Sequence, residues 1–245
     1  MKKIRCAPYW MVFILTALVF FTTGPAASAA GLFSAFETVS RQDGGLNTAI
    51  GYRYHQDTYE KGNGLKIRQN EIYSQAAYGA DNAWEIYARL GIADLKIGDV
   101  FRENEEVFAT LGGKVFYPIS GKLGVGAFVQ GTYYLNDFSD TVERRKHVQL
   151  KDLWDIHFGV ALQATLPCGT TMYAGPYLYY SEGTLSLSSN VSDWGYAAGR
   201  YSVQNTSIAG GFAGLDIPLA KGFRLNVEGQ YADRISAGAA ISYTY

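Results

Sequence analysis

Cysteine is nearly missing from this sequence. There are two in 245 residues, Cys6 and Cys168. Cys6 lies in a stretch expected to be removed, which leaves Cys168 alone and excludes an intramolecular disulfide. Histidine is scarce too, with three. No His/Cys set has metal-ligand spacing, and P-loop and dinucleotide fingerprints are missing. No metal and no cofactor is therefore expected. Charged residues make up only 18%, with a formal net charge of -1, so there is no electrostatic case for nucleic acid. After Gly31 no stretch reaches the roughly 18 consecutive apolar residues of a membrane helix, and a helical membrane protein is not expected.

Tyrosine and glycine are plentiful, at 19 and 28. Aromatic side chains favour strands and lipid–water interfaces. Glycine supplies turns or relieves crowding inside a narrow barrel. The N-terminus reads as an export leader: Lys2, Lys3 and Arg5 precede an apolar run from Trp10 to Phe21, and Ala27-Ser28-Ala29 is an A-x-A cleavage site. The expected division is a signal peptide over 1–29, a periplasmic lead-in or short plug over 30–45, and one β-domain over 46–245.

From about Leu46 the chain alternates with period two between turn residues, and no useful helix-period stretch interrupts it. In the last segment Ile235, Ala237, Ala239, Ile241, Tyr243 and Tyr245 share one face, opposite Ser236, Gly238, Ala240, Ser242 and Thr244. In 84–92, Trp84, Ile86, Ala88, Leu90 and Ile92 oppose Glu85, Tyr87 and Arg89. In 148–166, strict alternation puts Leu150 with Trp154, Ile156 and Phe158, and Gln149 and Lys151 with Asp155 and His157. A soluble barrel turns its apolar face inward and a membrane barrel turns it outward. Two features favour the second. Several segments are long enough for tilted spanning strands, and aromatics mark segment ends. Tyr78, Trp84, Tyr117 and Tyr245 lie near one set of ends; Tyr52, Tyr54, Tyr133, Trp154 and Tyr180 lie near the other.

The connections alternate in length. Asp81-Asn82, Ser120-Gly121-Lys122, Cys168-Gly169-Thr170 and Ala220-Lys221-Gly222 are tight turns. Longer polar linkers are expected at Glu60–Gly64, Gly98–Glu105, Ser139–His147 and Thr184–Arg200, with a short one at Asp233-Arg234. The expected fold is all-β: a closed, antiparallel, up-and-down transmembrane barrel of about ten strands, with eight or twelve as alternatives. The strands fall near 47–57, 66–80, 84–95, 106–118, 123–138, 148–166, 172–183, 201–217, 223–232 and 235–245.

The export site Ala27-Ser28-Ala29 and the terminal strand Ser236 to Tyr245 resemble those of small bacterial outer-membrane barrels of the OmpA-like transmembrane group. Within that resemblance, Ile241, Tyr243 and Tyr245 look like a C-terminal signal read by the barrel-assembly machinery. The resemblance implies a Gram-negative outer-membrane location. Its implied partners are periplasmic chaperones, outer-membrane lipids and lipopolysaccharide. It carries no catalytic motif, and the peptidoglycan-binding domain of the archetype has no counterpart here. It implies no single activity.

Ten residues point to the polar face: Arg53, His55, Glu71, Glu85, Arg89, Lys114, Asp155, His157, Arg224 and Glu228. Their signs nearly balance, and unpaired charges out of water are costly, so a lumen network of pairs is expected. Glu85 and Arg89, like Arg224 and Glu228, are four residues apart on one strand, roughly 13 Å, so each needs a partner on another strand. Asp155-Ile156-His157 resembles the Asp-x-His pair of omptin proteases, which also use ten-stranded barrels, but the omptin Asp-x-Asp is missing. A lipid-modifying barrel needs a nucleophile–base set, and none is evident. Phe101–Glu106 is acidic and Glu143–His147 mainly basic, which reads as a solvated surface or a docking site for a surface ligand of unknown identity. The leading expectation is a non-enzymatic outer-membrane barrel with a structural or surface-interaction role and a charge-paired lumen. The alternative is a narrow passive pore for small solutes, and a barrel enzyme comes third.

Overall fold

The computed structural model describes residues 35–37, 45–60, 65–79, 83–98, 101–142, 146–190, 197–206, 208–232 and 235–245. The expected leader lies outside these residues, as do most of the lead-in and the turns at Asp81-Asn82 and Asp233-Arg234. Every element among the described residues is a strand: β1 (Leu46–Glu60), β2 (Leu65–Gly79), β3 (Trp84–Ile97), β4 (Phe101–Pro118), β5 (Leu123–Tyr134), β6 (Phe138–Val142), β7 (Lys146–Thr165), β8 (Thr171–Leu187), β9 (Gly199–Asn205), β10 (Ala209–Pro218), β11 (Phe223–Tyr231) and β12 (Ile235–Thr244).

Ten of them form the closed antiparallel ring β1-β2-β3-β4-β5-β7-β8-β10-β11-β12, sealed where Asn47–Tyr54 of β1 pairs with β12. Closure removes the unpaired edges that an open sheet would present. Both ring termini, Leu46 and Thr244, lie at one end, here called the terminal end.

The expected segment 201–217 is two strands. β9 pairs with the far part of β8 and then with Tyr59 and Glu60 of β1, whereas β10 pairs with the near part of β8 and with β11. The short β11–β12 hairpin ends lower than its neighbours, and β9 reaches over it to β1. On the opposite wall the expected segment 123–138 also breaks. β5 stops at Tyr134, and β6 forms a hairpin with β7 beside β4. The wall therefore passes from ten strands to eight toward the distal end. Two expected linkers are mostly strand. Phe101 already begins β4 where a linker over Gly98–Glu105 was expected, and Phe138–Val142 pairs with Lys146–Leu150 where Ser139–His147 was expected to be loop.

Around the ring, outward residues of the lower wall are exposed and apolar. On β3 they run from Trp84 to Ile92, about 26 Å along the strand and about 20 Å in height at a typical tilt. Tyr78, Trp84, Tyr117 and Tyr245 stand exposed at the terminal edge of this belt, and Tyr52, Tyr133 and Trp154 at the distal edge. A continuous apolar belt with aromatic rims is the surface of a barrel that spans a bilayer.

Glycine has a specific place inside. Gly51 faces Tyr73, Gly112 faces Tyr87, Gly159 faces Phe128, and Gly214 faces Tyr173, each pair in direct register on adjacent strands. In every case a Cβ would overlap the ring. Each large inward ring lies flat across its neighbour's bare backbone, which lets a narrow barrel hold many aromatics at close-packed density.

Candidate functional site

The interior is filled in three storeys, and inward residues throughout are almost all buried. At the terminal end lies an aromatic storey: Phe116, Phe128, Tyr173, Tyr177 and Phe212 surround Phe36, which comes from the N-terminal segment and not from a strand.

The middle storey is polar. Arg53 and Glu71 are direct register partners on β1 and β2, with Nη1 3.3 Å from Oε2. Tyr134 also donates to Glu71, at 2.8 Å. Nearer the terminal end, Glu85 and Lys114 are register partners on β3 and β4, 3.1 Å apart. The Arg89 guanidinium lies between the rings of Tyr73 and Tyr87, 4.9 and 5.0 Å from their centroids, and its Nε donates to Gln75 at 2.7 Å. Cation–π contacts gain strength when desolvated in this way. Glu228 accepts from Tyr173 at 2.7 Å. Arg224 sits lower, near the terminal rim, and pairs with Asp216 of β10. His55 has Nδ1 2.7 Å from Ser236 Oγ and Nε2 3.2 Å from the Tyr179 hydroxyl.

Asp155 and His157 lie on the lumen face of β7 with 3.2 Å between Oδ1 and Nε2. They are 3% and 1% exposed, and Tyr179 covers the imidazole with ring centroids 4.5 Å apart. Both His157 nitrogens lack a well-formed hydrogen bond among the described residues. Among the described residues no His/Cys/Asp/Glu group is arranged to hold a metal.

Among the ten charged residues, Arg53 lies beside Glu71, Glu85 beside Lys114 and Asp155 beside His157, and neutral partners that a count of charges passes over stand among them: Gln75, Gln130, Tyr73, Tyr87, Tyr134, Tyr173 and Tyr179. The signal for these was present in the inward phase of each strand, since an inward Tyr or Gln in a narrow lumen has nowhere to place its polar atom except on a neighbour.

The distal storey is apolar. Tyr59, Leu65, Ile67, Leu95, Ile97, Phe101, Phe138, Val148, Leu150, Leu153, Leu185 and Leu187 form one buried cluster inside the wall above the belt. The alternation reverses there. On β2, Leu65 and Ile67 point inward while Lys66 and Arg68 point outward; lower down, Glu71 and Gln75 point inward while Ile72 and Tyr78 point outward. Above the lipid the barrel is built like a water-soluble one, with each such side chain contributing about 1.5–3 kcal/mol on burial. The expected placement of Leu150 on the outer face, with Gln149 and Lys151 inside, is therefore corrected: Leu150 is inside, and Gln149 and Lys151 are not. A bulge between Lys151 and Trp154, with Asp152 at φ 50°, inserts one residue and switches the phase.

No family model matches the chain, and no curated protein matches it significantly. Among solved structures, the translocator domain of the autotransporter NalP from Neisseria meningitidis is similar at 11% identity and TM-score 0.47, covering 98% of this chain and 96% of that one. The transport unit of the autotransporter AIDA-I from Escherichia coli is similar at 11% identity and TM-score 0.45, covering 89% and 94%. The β-domain of the Bordetella autotransporter BrkA is similar at 16% identity and TM-score 0.42, covering 83% and 100%. The chain is similar to these barrels over most of its length.

Proposed function

We propose that this protein is a sealed outer-membrane barrel, a non-conducting scaffold with a structural or surface-interaction role. The observation that carries this reading is the apolar distal storey. Water and ions crossing the lumen would have to part a close-packed cluster that includes Phe101, Phe138, Leu150 and Leu185. Below it, Glu85 and Arg89, which a pore would present to water, are buried and partnered. On this reading the terminal end faces the periplasm and the narrower distal end faces outward, where β6 and β9 extend the wall beyond the belt. Rigid strands there would present the connecting segments to a partner or to lipopolysaccharide. Ile241 and Tyr243 lie on the last strand and Tyr245 just past its end, with Ile241 and Tyr245 exposed. That placement suits a segment recognised by the assembly machinery before closure. The burial of Asp155 and His157 supports a non-enzymatic role.

The test is single-channel recording of the refolded chain, residues 30–245, in a planar bilayer after heat-modifiable gel mobility has shown that it is folded. The expected result is no conductance. Steady steps that change with Glu85→Gln or Arg89→Gln would overturn the sealed reading in favour of a narrow pore.

A further inference from the structure

Residues Ala35–Glu37 belong to no strand, yet the barrel holds them by their main chain. The amides of Phe36 and Glu37 both donate to Gln163 Oε1, at 2.6 and 3.2 Å. The carbonyl of Ala35 accepts from Lys114 Nζ at 2.6 Å, and the Ala35 amide makes a longer contact of 3.5 Å to Asp216 Oδ2. Three side chains from β7, β4 and β10 thus read three consecutive peptide units. Main-chain contacts of this kind give affinity without regard to sequence, and a socket for one side chain gives selectivity.

The socket is aromatic. The Phe36 ring meets Tyr173 edge-on at 5.8 Å and Phe128 at 6.0 Å, arrangements that favour aromatic pairs. Its floor is Gly126, where a Cβ would overlap the Phe36 ring. Phe36 is fully buried there.

The contacts also suit departure of the segment. Lys114 would keep Glu85, and Asp216 would keep Arg224, so an emptied mouth strands no charge. Gln163 would turn to entering water. The distal cluster differs: apart from tyrosine hydroxyls such as that of Tyr59, which bonds to Ser181, its side chains are apolar.

We propose that the periplasmic mouth is a peptide-binding seat, occupied in cis by Ala35–Glu37 and able to take a peptide bearing an aromatic side chain in trans. The seat is independent of the distal seal, so it stands or falls separately from the non-conducting reading.

The test uses residues 30–245 carrying Cys168→Ser and Ala161→Cys. Ala161 is buried in the same cluster as Phe36, and the new thiol reports its exposure to a water-soluble thiol reagent. Phe36→Ala should speed labelling at least tenfold. Added decapeptide with the sequence of residues 31–40 should slow it again in a saturable manner, and the same peptide with alanine for both phenylalanines should not. Gly126→Val, which fills the socket from the wall, should speed labelling while abolishing protection by the peptide. It serves as the second route if Phe36→Ala folds poorly. Unchanged labelling in both variants, or no protection by millimolar peptide in Phe36→Ala, would overturn the seat. Conductance of the same variants separates the two readings. Fast labelling with electrical silence supports both, whereas fast labelling with channel steps keeps the seat and overturns the seal.

Discussion

Lys114 and Glu85 face each other across β3 and β4 at 3.1 Å, with side chains only 5% and 1% exposed. Removing one member leaves the other charged and dry. Glu85→Gln or Lys114→Met alone should lower stability by about 3–5 kcal/mol. The double variant should recover much of that loss, though not all, because Lys114 also holds Ala35. Urea unfolding in lipid vesicles, arranged as a double-mutant cycle, measures this. Additive losses would show that the pair contributes nothing as a pair.

Gly112 and Gly113 are neighbours on opposite faces of β4. A side chain at Gly112 would overlap the Tyr87 ring, whereas a Cβ at Gly113 meets only the Glu85 carbonyl at 3.5 Å. Gly112→Val should displace Tyr87 from its 2.9 Å bond to Gln130 and cost about 1–3 kcal/mol. Gly113→Ala should change stability by less than about 0.5 kcal/mol. Equal urea midpoints for the two variants would contradict the packing described.

Asp152 occupies the left-handed region at φ 50° in the β7 bulge. Asp152→Gly should be neutral or stabilise by up to about 1 kcal/mol, and Asp152→Val should destabilise. Deleting Asp152 should abolish heat-modifiable mobility, because it would restore strict alternation and turn Leu150 out of the distal core or Trp154 into the lumen. A folded deletion variant would show that the bulge is dispensable.

Asp155→Asn and His157→Ala should leave peptide cleavage at the background of the parent chain. Fluorogenic peptides at several pH values, with the folded protein in lipopolysaccharide-containing detergent, provide the check. Cleavage by the parent that either substitution abolishes would show that the lumen admits substrate.

The lower barrel was legible because lipid imposes a simple rule on one face. Ile86, Leu90 and Ile92 must be apolar, so Glu85 and Arg89 fall on the other side without reference to any partner. The upper barrel was less legible because water imposes the reverse rule on the same strand. Leu65 and Ile67 take odd positions and Ile72 and Tyr78 even ones, a change of phase without a break in the strand. A single alternation fitted through the whole segment hides it. On β7 the bulge at Asp152 has no strong sequence mark, so strict alternation puts Leu150 on the wrong face. Phe36 was illegible for another reason: its stretch has no period, and its partners Gln163 and Lys114 lie more than 75 residues away along the chain. The Arg53–Glu71 and Glu85–Lys114 pairs follow from hairpin register, which turn geometry sets only once the turns are known.

The reversal of polarity along β2 gives the two halves different thermal behaviour. Burying Leu65, Ile67, Leu95 and their neighbours removes apolar surface from water, so opening that half should carry a large positive heat-capacity change and grow easier on cooling. The belt below exchanges one apolar environment for another and should contribute little to that term. Chilling would then loosen the distal half first while the span in lipid holds its shape.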